Sequence, residues 1–452
     1  MSEKLFGTDG IRGVANVYPL TSEFCHNLAV ILSRKVYTMH RKVAIARDTR
    51  VSGDMLFCAL AAGFTSQGVD VLNLGIIPTP LCTTLTPQLN VDMSIMITAS
   101  HNPYTDNGLK LITADGEKFA DNVTDEIEKE LSKNLNPRYN PHQIGRVHSI
   151  DCGLDDYFAT VNKITVADSL YGLRIVLDSA NGAFTGILSQ IFKYLGAEII
   201  SLADYPDGYN INFECGTQHT EQLCRTVVEN EFDLGIAVDG DGDRIIICDD
   251  KGKRIDGDQI LAYLATYMKN HNMLKGTGVV STIYSNLGLG KYIHSLGLEH
   301  YTSAVGERHV IAKMHETKCN LGGEESGHIV LSDYTRTGDA LLTAILVCLG
   351  IYESKLKVSE IFPVFKPFPA QSHNLRFKNQ EVITKILEDK EVKNTIKNLS
   401  EKLTGHGNIL VRKSGTEPVI RLKIEDENPR IASEYIDLLL DVIKNRSETY
   451  AK

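Results

Sequence analysis

The sequence predicts an α/β protein with three similar α/β mixed-sheet domains and a C-terminal α+β domain. An apolar strand ending in a small polar turn occurs three times, at VAIARDTRVSG from Val43, RIVLDSANGAF from Arg174 and GVVSTIYSNLG from Gly278. A helix-length stretch, a glycine and a second strand follow each time, which is the order of a βαβ unit. Recurrence at intervals of roughly a hundred residues indicates repeated domains and not a solenoid, whose repeats run to ~20–50 residues.

The domain boundaries are predicted from the polar and proline-rich connections. A chain of 452 residues is too long for one ordinary core. NLNPRYNPHQIG from Asn134, KGKR at 251–254 and IFPVFKPFPA at 361–370 have linker composition. We therefore predict domains at 1–150, 151–252, 253–364 and 365–452. Helices that alternate with short strands such as VIRLKIED favour an α+β layer in the last of these.

Composition and charge narrow the class of protein. A net charge of −10 excludes a general binder of nucleic acid or of membrane surfaces, because polyanions require clustered lysine and arginine. The apolar stretch from Ala340 is shorter than the ~20 residues that span a bilayer, and the N-terminus has no secretory pattern. Nine scattered cysteines without a CxxC pair suit reduced thiols. We expect a soluble, cytoplasmic protein.

The segment DGDGDR at 239–244 follows the strand-like run LGIAV and predicts a divalent-metal site. Asp239, Asp241 and Asp243 offer hard oxygen ligands, and the glycines between them permit the turn that brings the carboxylates together. Mg²⁺ is the expected ion, with coordination positions left open for phosphate oxygen, and Arg244 would help to hold that phosphate. An ordinary Asp/Gly surface turn is the alternative.

The segment TASHNP at 98–103 follows a second strand, SIMIT, and places Ser100 where ligands of open α/β sheets bind. Its hydroxyl is a candidate phosphoryl carrier, and His101 and Lys110 are near enough in sequence to assist it. A plain Ser-Asn-Pro turn explains the same residues equally well.

Three further segments are candidates for ligand binding. RKSGTEPVIR at 412–421 combines guanidinium groups, hydroxyls and a glycine, which suits a phosphate dianion; a basic surface turn is the alternative. GGEESGH at 322–328 offers Glu324, Ser326 and His328 to a polyhydroxylated ligand. FGTDGIRG at 6–13 adds Arg12 beside a glycine-rich turn, which could equally be structural.

Taken together, TASHNP, DGDGDR, GGEESGH and RKSGTEPVIR resemble, in order and spacing, the four signature loops of the α-D-phosphohexomutases. The resemblance covers almost the whole chain and implies four domains around a central cleft. The opening FGTDGIRG and the length resemble the branch that interconverts glucosamine 6-phosphate and glucosamine 1-phosphate for UDP-N-acetylglucosamine synthesis.

The resemblance also implies a role for each matched residue. Ser100 would be the phosphoserine and, with Asp239, Asp241 and Asp243, would hold Mg²⁺. Lys110 and His328 would be acid/base candidates, and Arg12, His101 and Arg244 would lie around the transferred phosphoryl group. Sugar hydroxyls would bind Glu324 and Ser326. The distal phosphate would bind a larger set: Arg412, Ser414, Gly415, Thr416 and Arg421.

The implied reaction passes through glucosamine 1,6-bisphosphate. Phosphoserine would give its phosphoryl group to O1 of the 6-phosphate, and Ser100 would take back the 6-phosphoryl group. The expected partner is a small hexosamine phosphate, with no nucleic acid or membrane, and the enzyme would be a monomer or a homodimer.

Two departures from the family pattern affect the expected substrate. Glu325 stands where the family usually has glutamine, and Ala304 stands where it usually has lysine. A phosphomannomutase/phosphoglucomutase therefore stays an alternative. An aspartate-dependent sugar phosphatase is a second one, since DGDG matches a DxDG motif with Asp239 as nucleophile, although Asp243 stands where threonine or valine is expected. A non-catalytic sugar-phosphate binder would need neither the serine nor the aspartates.

Overall fold

The computed structural model describes residues 4–7, 9–35, 40–133, 140–413 and 418–450. The chain divides into two compact units, Met1–Ile283 with Leu298–Val364 and Tyr284–Gly297 with Phe365–Lys452. The first unit contains three of the four sheets, and the second contains the fourth.

The first sheet has six strands: β1 Ile11–Val14, β2 Lys42–Arg47, β3 Asp70–Ile76, β4 Met93–Ile97, β5 Asp106–Thr113 and β6 Val147–Ser149. Their spatial order is β1-β5-β4-β2-β3-β6. The helices of this region are α1 Ser22–Lys35, α2 Ser52–Ser66, α3 Thr79–Leu85 and α4 Asp121–Leu131. Every residue of β4 is buried, as expected for an apolar run in the middle of a sheet covered on both faces.

The second sheet has five strands: β7 Arg174–Asp178, β8 Glu198–Leu202, β9 Leu234–Val238, β10 Ile245–Asp249 and β11 Arg254–Ile255. Their order is β11-β10-β9-β7-β8. The helices here are α5 Leu154–Val161, α6 Ile187–Tyr194 and α7 Glu221–Glu229. β9 and β10 are completely buried, so the six-residue turn between them starts and ends on a rigid support.

The third sheet has four strands: β12 Gly278–Thr282, β13 Glu299–Ser303, β14 Leu321–Gly323 and β15 Ile329–Leu331. Their order is β13-β12-β14-β15. The helices from here to residue 361 are α8 Gly257–Asn270, α9 Leu287–Ser295, α10 Glu307–Thr317, α11 Ala340–Ser354 and α12 Val358–Ile361. α9 belongs to the second unit. α11 contains the longest apolar stretch of the sequence and is a core helix; no helix in the described part of the chain has the length and apolarity that a membrane span requires.

The fourth sheet is antiparallel, with β16 Ala370–Arg376, β17 Gly407–Lys413 and β18 Val419–Asp426 in the order β16-β18-β17. Its helices are α13 Gln380–Glu388, α14 Lys390–Leu403 and α15 Pro429–Tyr450. Ile420, Leu422 and Ile424 of β18 form a core with these helices. Because side chains alternate along a strand, Arg421 lies on the opposite face of the sheet.

The first three sheets share one arrangement. β2, β7 and β12 each lie between two parallel neighbours. The later neighbour, which is β4, β9 or β14, then pairs antiparallel with the next strand of the chain. The predicted fold class, three similar mixed-sheet α/β domains and a C-terminal α+β domain, is confirmed.

Candidate active site

Three of the four motif loops occupy the same position in the three repeats. Ser100 lies between β4 and β5, the aspartates lie between β9 and β10, and Glu324–Ser326 lie between β14 and β15. Each loop therefore leaves the carboxyl end of a parallel strand, which is where open α/β sheets bind ligands. The loops also touch one another: the N–H of Ile245 donates to the carbonyl oxygen of Gly327 across 3.0 Å.

Ser100 is buried and points at the aspartates. Its hydroxyl donates to Oδ2 of Asp239 across 2.5 Å. Its backbone has a φ of +54°, in the left-handed region that is costly for a residue with a Cβ atom. The surrounding contacts must therefore hold this conformation, and the structure shows which ones do.

Two side chains clamp the backbone of the serine loop. Arg50 is buried, pairs with Asp48 across 2.9 Å and donates to the carbonyl oxygens of Ser100 and Asn102 at 2.9 and 2.8 Å. Asn212, from the second sheet's domain, donates to the same two carbonyl oxygens at 2.9 and 3.0 Å. Arg50 also reaches the carbonyl oxygens of Pro103 and Asp106. The loop is thus fixed through main-chain acceptors, whatever its side chains carry.

Asp239, Asp241 and Asp243 form a compact buried group. One carboxylate oxygen from each lies within 4.8 Å of the others. Oδ1 of Asp241 and Oδ1 of Asp243 are buried and have no hydrogen-bond partner. Burial and the two neighbouring carboxylates raise the pKa of Asp239 well above its usual range. Buried oxygens without a hydrogen bond and three adjacent carboxylates both fit a divalent cation with hard oxygen ligands.

Lys110 lies against this group. Its ammonium contacts Oδ2 of Asp241 at 2.6 Å and Oδ2 of Asp243 at 2.7 Å. Burial alone would lower the pKa of Lys110, but the carboxylates raise it well above the ordinary value. Thr79 donates to Oδ2 of Asp241 across 2.5 Å, so the oxygens without partners are the remaining Oδ1 atoms.

Apart from Asp239, the side chains nearest the serine hydroxyl are cationic or neutral. Nδ1 of His101 lies 3.3 Å from Oγ of Ser100 and accepts from Arg244 at 3.0 Å. Burial and the adjacent Arg244 lower the pKa of His101 to about 3, so its imidazole is neutral near pH 7. Arg12 donates to the carbonyl oxygen of Ala99 at 3.5 Å and pairs with Asp9 at 2.6 Å.

His328 is buried between two carboxylates. Its Nδ1 lies 3.8 Å from Asp243, and its Nε2 lies 3.4 Å from Glu307. Burial alone would lower the pKa of His328, but these carboxylates raise it to about 10. The N–H of Gly338 also points at Nε2 from 3.1 Å. This contact is a hydrogen bond only if Nε2 carries no proton. The two carboxylates outweigh one amide dipole, so we assign the protonated imidazolium.

In the loop between β14 and β15, the side chain of Glu324 is hydrogen-bonded and that of Ser326 is not. Glu324 accepts from the N–H of Gly306 at 2.9 Å. Oγ of Ser326 is buried and has no hydrogen-bond partner, so it can still pair with a ligand hydroxyl. Glu325 is partly exposed and Ala304 is exposed.

In the second unit, Arg412 and Arg421 lie directly opposite each other on β17 and β18. Opposed residues of an antiparallel pair point to the same face, and like charges in that arrangement are destabilising. Arg412 stacks over the ring of Tyr284 at 4.8 Å. Two guanidinium groups on one face can bind one phosphate dianion together. Ser414, Gly415 and Thr416 lie outside the described residues.

Family models cover nearly the entire chain. Three phosphoglucomutase/phosphomannomutase alpha/beta/alpha domain models match residues 3–138, 155–252 and 256–368. The C-terminal domain model of the same family matches residues 374–442.

Curated relatives specify the branch. The phosphoglucosamine mutase of Zymomonas mobilis is 41% identical over 98% of this chain and 99% of its own length. That of Parvibaculum lavamentivorans is 41% identical over 99% of this chain and 100% of its own length. The chain belongs to the phosphoglucosamine mutases of the phosphohexomutase superfamily. It is therefore an enzyme, and the predicted mutase function is favoured over the phosphatase and the non-catalytic binder.

A solved structure agrees in fold. A phosphoglucomutase/phosphomannomutase family protein from Burkholderia thailandensis superposes with a TM-score of 0.81, covering 99% of this chain and 98% of that one. At 24% identity this likeness concerns the fold alone.

Five residues of the site are not found by reasoning from motifs: Asp9, Arg50, Lys118, Asn212 and Glu307. Arg50 follows β2 directly, and the carboxyl end of that strand is a place where chemistry is expected, so topology could have indicated it. Asp9 lies within FGTDGIRG, in which only Arg12 is predicted as a site residue. The other three lie far apart in sequence and outside the recognised motifs.

Proposed function

We propose that the enzyme interconverts glucosamine 6-phosphate and glucosamine 1-phosphate through a phosphorylated Ser100 and glucosamine 1,6-bisphosphate. The observation that carries this proposal is the contact between Oγ of Ser100 and Asp239, 2.5 Å apart, within a buried group of three aspartates. A hydroxyl in that position can carry a phosphoryl group directly beside a metal site. The phosphatase alternative has no use for this serine.

Asp239, Asp241 and Asp243 are the proposed Mg²⁺ ligands, joined by an oxygen of phosphorylated Ser100. When bound, the ion would neutralise charge on the transferred phosphoryl group. The protein's own contribution is to hold the three carboxylates together and away from bulk water. The Oδ1 atoms of Asp241 and Asp243, which are buried and accept no hydrogen bond, support this assignment.

Proton transfer is assigned to Lys110 and His328, which both contact Asp243. An ammonium and an imidazolium can each donate to a leaving oxygen and later accept from an attacking hydroxyl. Arg244, with neutral His101 and Arg12 beside it, would stabilise the charge of the phosphoryl group at Ser100.

Substrate recognition is divided between two loops. Glu324 and Ser326 would bind the hydroxyl and amino groups of the sugar, and the open hydrogen-bonding capacity of Ser326 supports this. The distal phosphate would be held by Arg412, Ser414, Gly415, Thr416 and Arg421. The opposed guanidinium groups of Arg412 and Arg421 support a dianion at this position.

The setting of the enzyme follows from the same proposal. It would supply glucosamine 1-phosphate for UDP-N-acetylglucosamine synthesis in the cytoplasm, as a monomer or a homodimer that binds a small hexosamine phosphate. Four domains at 1–150, 151–252, 253–364 and 365–452 are proposed, and the ranges of the four family models support them.

The test compares turnover of glucosamine 6-phosphate, glucose 6-phosphate and mannose 6-phosphate, with Mg²⁺ and a trace of the matching 1,6-bisphosphate. We expect the amino sugar to be converted with the highest kcat/KM, and Ser100→Ala to convert none of the three. Equal or faster conversion of the hydroxy sugars would assign the enzyme to general phosphohexomutases, in agreement with Glu325 and Ala304. Retained hydrolysis in Ser100→Ala would support the phosphatase.

A further inference from the structure

Side chains of alternating charge form a closed ring beside the aspartate group. Lys118 contacts both Asp9 and Glu307. From Glu307 the ring continues through His328 at 3.4 Å to Asp243 at 3.8 Å. Lys110 then lies 2.7 Å from Asp243 and 3.4 Å from Asp9, which closes the ring. Its members in order are Asp9, Lys118, Glu307, His328, Asp243 and Lys110.

Only half of the ring has a place in the proposed chemistry. Lys110, His328 and Asp243 are assigned to proton transfer and metal binding, whereas Lys118 and Glu307 touch neither the serine nor the aspartate group. Buried ion pairs contribute little net stability, because removing charges from water costs about as much as their attraction returns. A paired lysine and glutamate beside a catalytic group are therefore better explained by the geometry they impose.

The contacts of Glu307 indicate what that geometry is. It is the first residue of α10, and its Oε1 accepts from Thr337 while facing Nε2 of His328. Lys118 contacts the other oxygen, Oε2, so the carboxylate cannot rotate away from the imidazole. On its other side Lys118 contacts Oδ1 of Asp9, whose Oδ2 faces Lys110.

We propose that Lys118 is a positioning residue: through Glu307 and Asp9 it sets the places of His328 and Lys110 relative to the aspartate group. Lys118 lies just after β5, in the first sheet's domain, whereas Glu307 and His328 lie in the third sheet's domain. The Lys118–Glu307 ion pair therefore makes the position of the His328 imidazole depend on the position of the first sheet's domain. The inference rests on the acid/base roles proposed above for Lys110 and His328.

The competing explanation is a simple tether between the two domains. A matched control exists, because the next residue of α10, Arg308, pairs with Asp121 at the start of α4. That ion pair joins the same two parts of the protein and has no contact with His328 or Lys110. Asp121→Asn removes a tether, whereas Lys118→Met removes a tether and the support of the ring.

The experiment measures kcat and KM for Lys118→Met, Lys118→Arg, Glu307→Gln, the double variant Lys118→Met/Glu307→Gln and Asp121→Asn. Each is assayed with the sugar phosphate that the wild-type enzyme converts fastest, so a different substrate preference would change the proposed function and leave this test intact. Circular dichroism checks the fold of each variant.

For Lys118→Met we expect kcat to fall by about 10- to 100-fold, the cost of misplacing a catalytic group by roughly an ångström. KM should stay within about threefold, since a group that acts only on proton transfer leaves ground-state binding unchanged. Lys118→Arg should recover most of the loss. The double variant should lose less than the product of the two single losses, because both act through His328.

Three results would overturn the proposal: a loss in kcat below about threefold, a loss confined to KM, or an equal loss in Asp121→Asn. Should Lys118→Met fail to fold, the same criteria apply to Glu307→Gln. That change preserves volume and the acceptor for Thr337, and removes only the charge that faces His328 and Lys118.

Discussion

The guanidinium group of Arg50 donates to the carbonyl oxygen of Ser100 across 2.9 Å, and Asn212 donates to the same oxygen at the same distance. The strained backbone at Ser100 is thus held from two domains. An acceptor on the main chain is available in both the free and the phosphorylated serine, so the clamp can persist through the catalytic cycle.

We expect Asn212→Asp to lower kcat by at least about tenfold, because each lost attraction becomes a repulsion between oxygens and the serine loop shifts. The change conserves shape, and aspartate tolerates the positive φ of this position as asparagine does. Steady-state turnover and the phosphate content of Ser100 by mass spectrometry check it. Asn210→Asp, on the same loop, is the control; an equal effect there would contradict the clamp.

Arg50→Lys tests the other half of the clamp. Lysine keeps the charge beside Asp48 but cannot present the fork that reaches several carbonyl oxygens at once. We expect kcat to fall by about 10- to 100-fold with a smaller change in KM. Arg34→Lys on the exposed side of α1 is the matched control. Wild-type turnover in Arg50→Lys would mean that charge alone, without the fork, holds the loop.

Asp241→Asn should weaken metal binding. The substitution removes one negative charge. It also places an amide nitrogen either at the position of Oδ1, which has no hydrogen-bond partner, or at that of Oδ2, which contacts Lys110. We expect the Kd for Mn²⁺, measured by isothermal titration calorimetry without substrate, to rise by at least about tenfold. Asp249→Asn, at the opposite end of the same hairpin, should bind as the wild type does. Unchanged Mn²⁺ affinity in Asp241→Asn would remove this residue from the ligand set.

Arg412→Gln should separate phosphate binding from folding. The variant should unfold at a melting temperature close to that of the wild type in phosphate-free buffer, because the loss of stacking on Tyr284 and the removal of a like charge opposite Arg421 act in opposite directions. The increase in melting temperature caused by inorganic phosphate should shrink, because ligand stabilisation follows affinity. Thermal unfolding with and without phosphate measures both, and Arg430→Gln is the control. A full phosphate effect in Arg412→Gln would place the anion elsewhere.

Asp339 should make stability fall as pH rises. Burial raises its pKa to about 7, although the N–H groups of Leu342 and Leu341 lower it. The folded carboxyl group holds its proton more tightly than the unfolded one, so its contribution is complete at low pH. That contribution is lost progressively between about pH 4 and the folded pKa of about 7.

Asp339→Asn should therefore gain stability relative to the wild type as pH increases from 5 to 8, since asparagine has no proton to lose and still accepts from Leu342. Melting temperatures across this range give the difference directly. The control is Asp256→Asn, which makes the same substitution at the partly exposed N-cap of α8. A pH-independent difference between Asp339→Asn and the wild type would show that this carboxyl group does not titrate there.

Local residue patterns predict much of this protein. The strands around Val43, Arg174 and Gly278 each begin a parallel βαβ unit, as predicted. They could be predicted because an apolar run and the glycine turn after it depend only on residues close in sequence. The aspartates of 239–244 are close in sequence, so a turn alone can bring their carboxylates together. These features depend on contacts between residues that are close in sequence, so the sequence pattern alone predicts them.

Tertiary structure alone decided how separate motifs meet. Ser100 and Asp239 are 139 residues apart in sequence, and they touch because the loops after β4 and β9 are equivalent in two repeats. The contact of Asn212 with the Ser100 loop and the ring through Lys118 and Glu307 join single residues from different domains, and a single residue has no periodicity to reveal its partner. The chemistry of each loop is local, whereas its alignment with the other loops depends on how the domains pack.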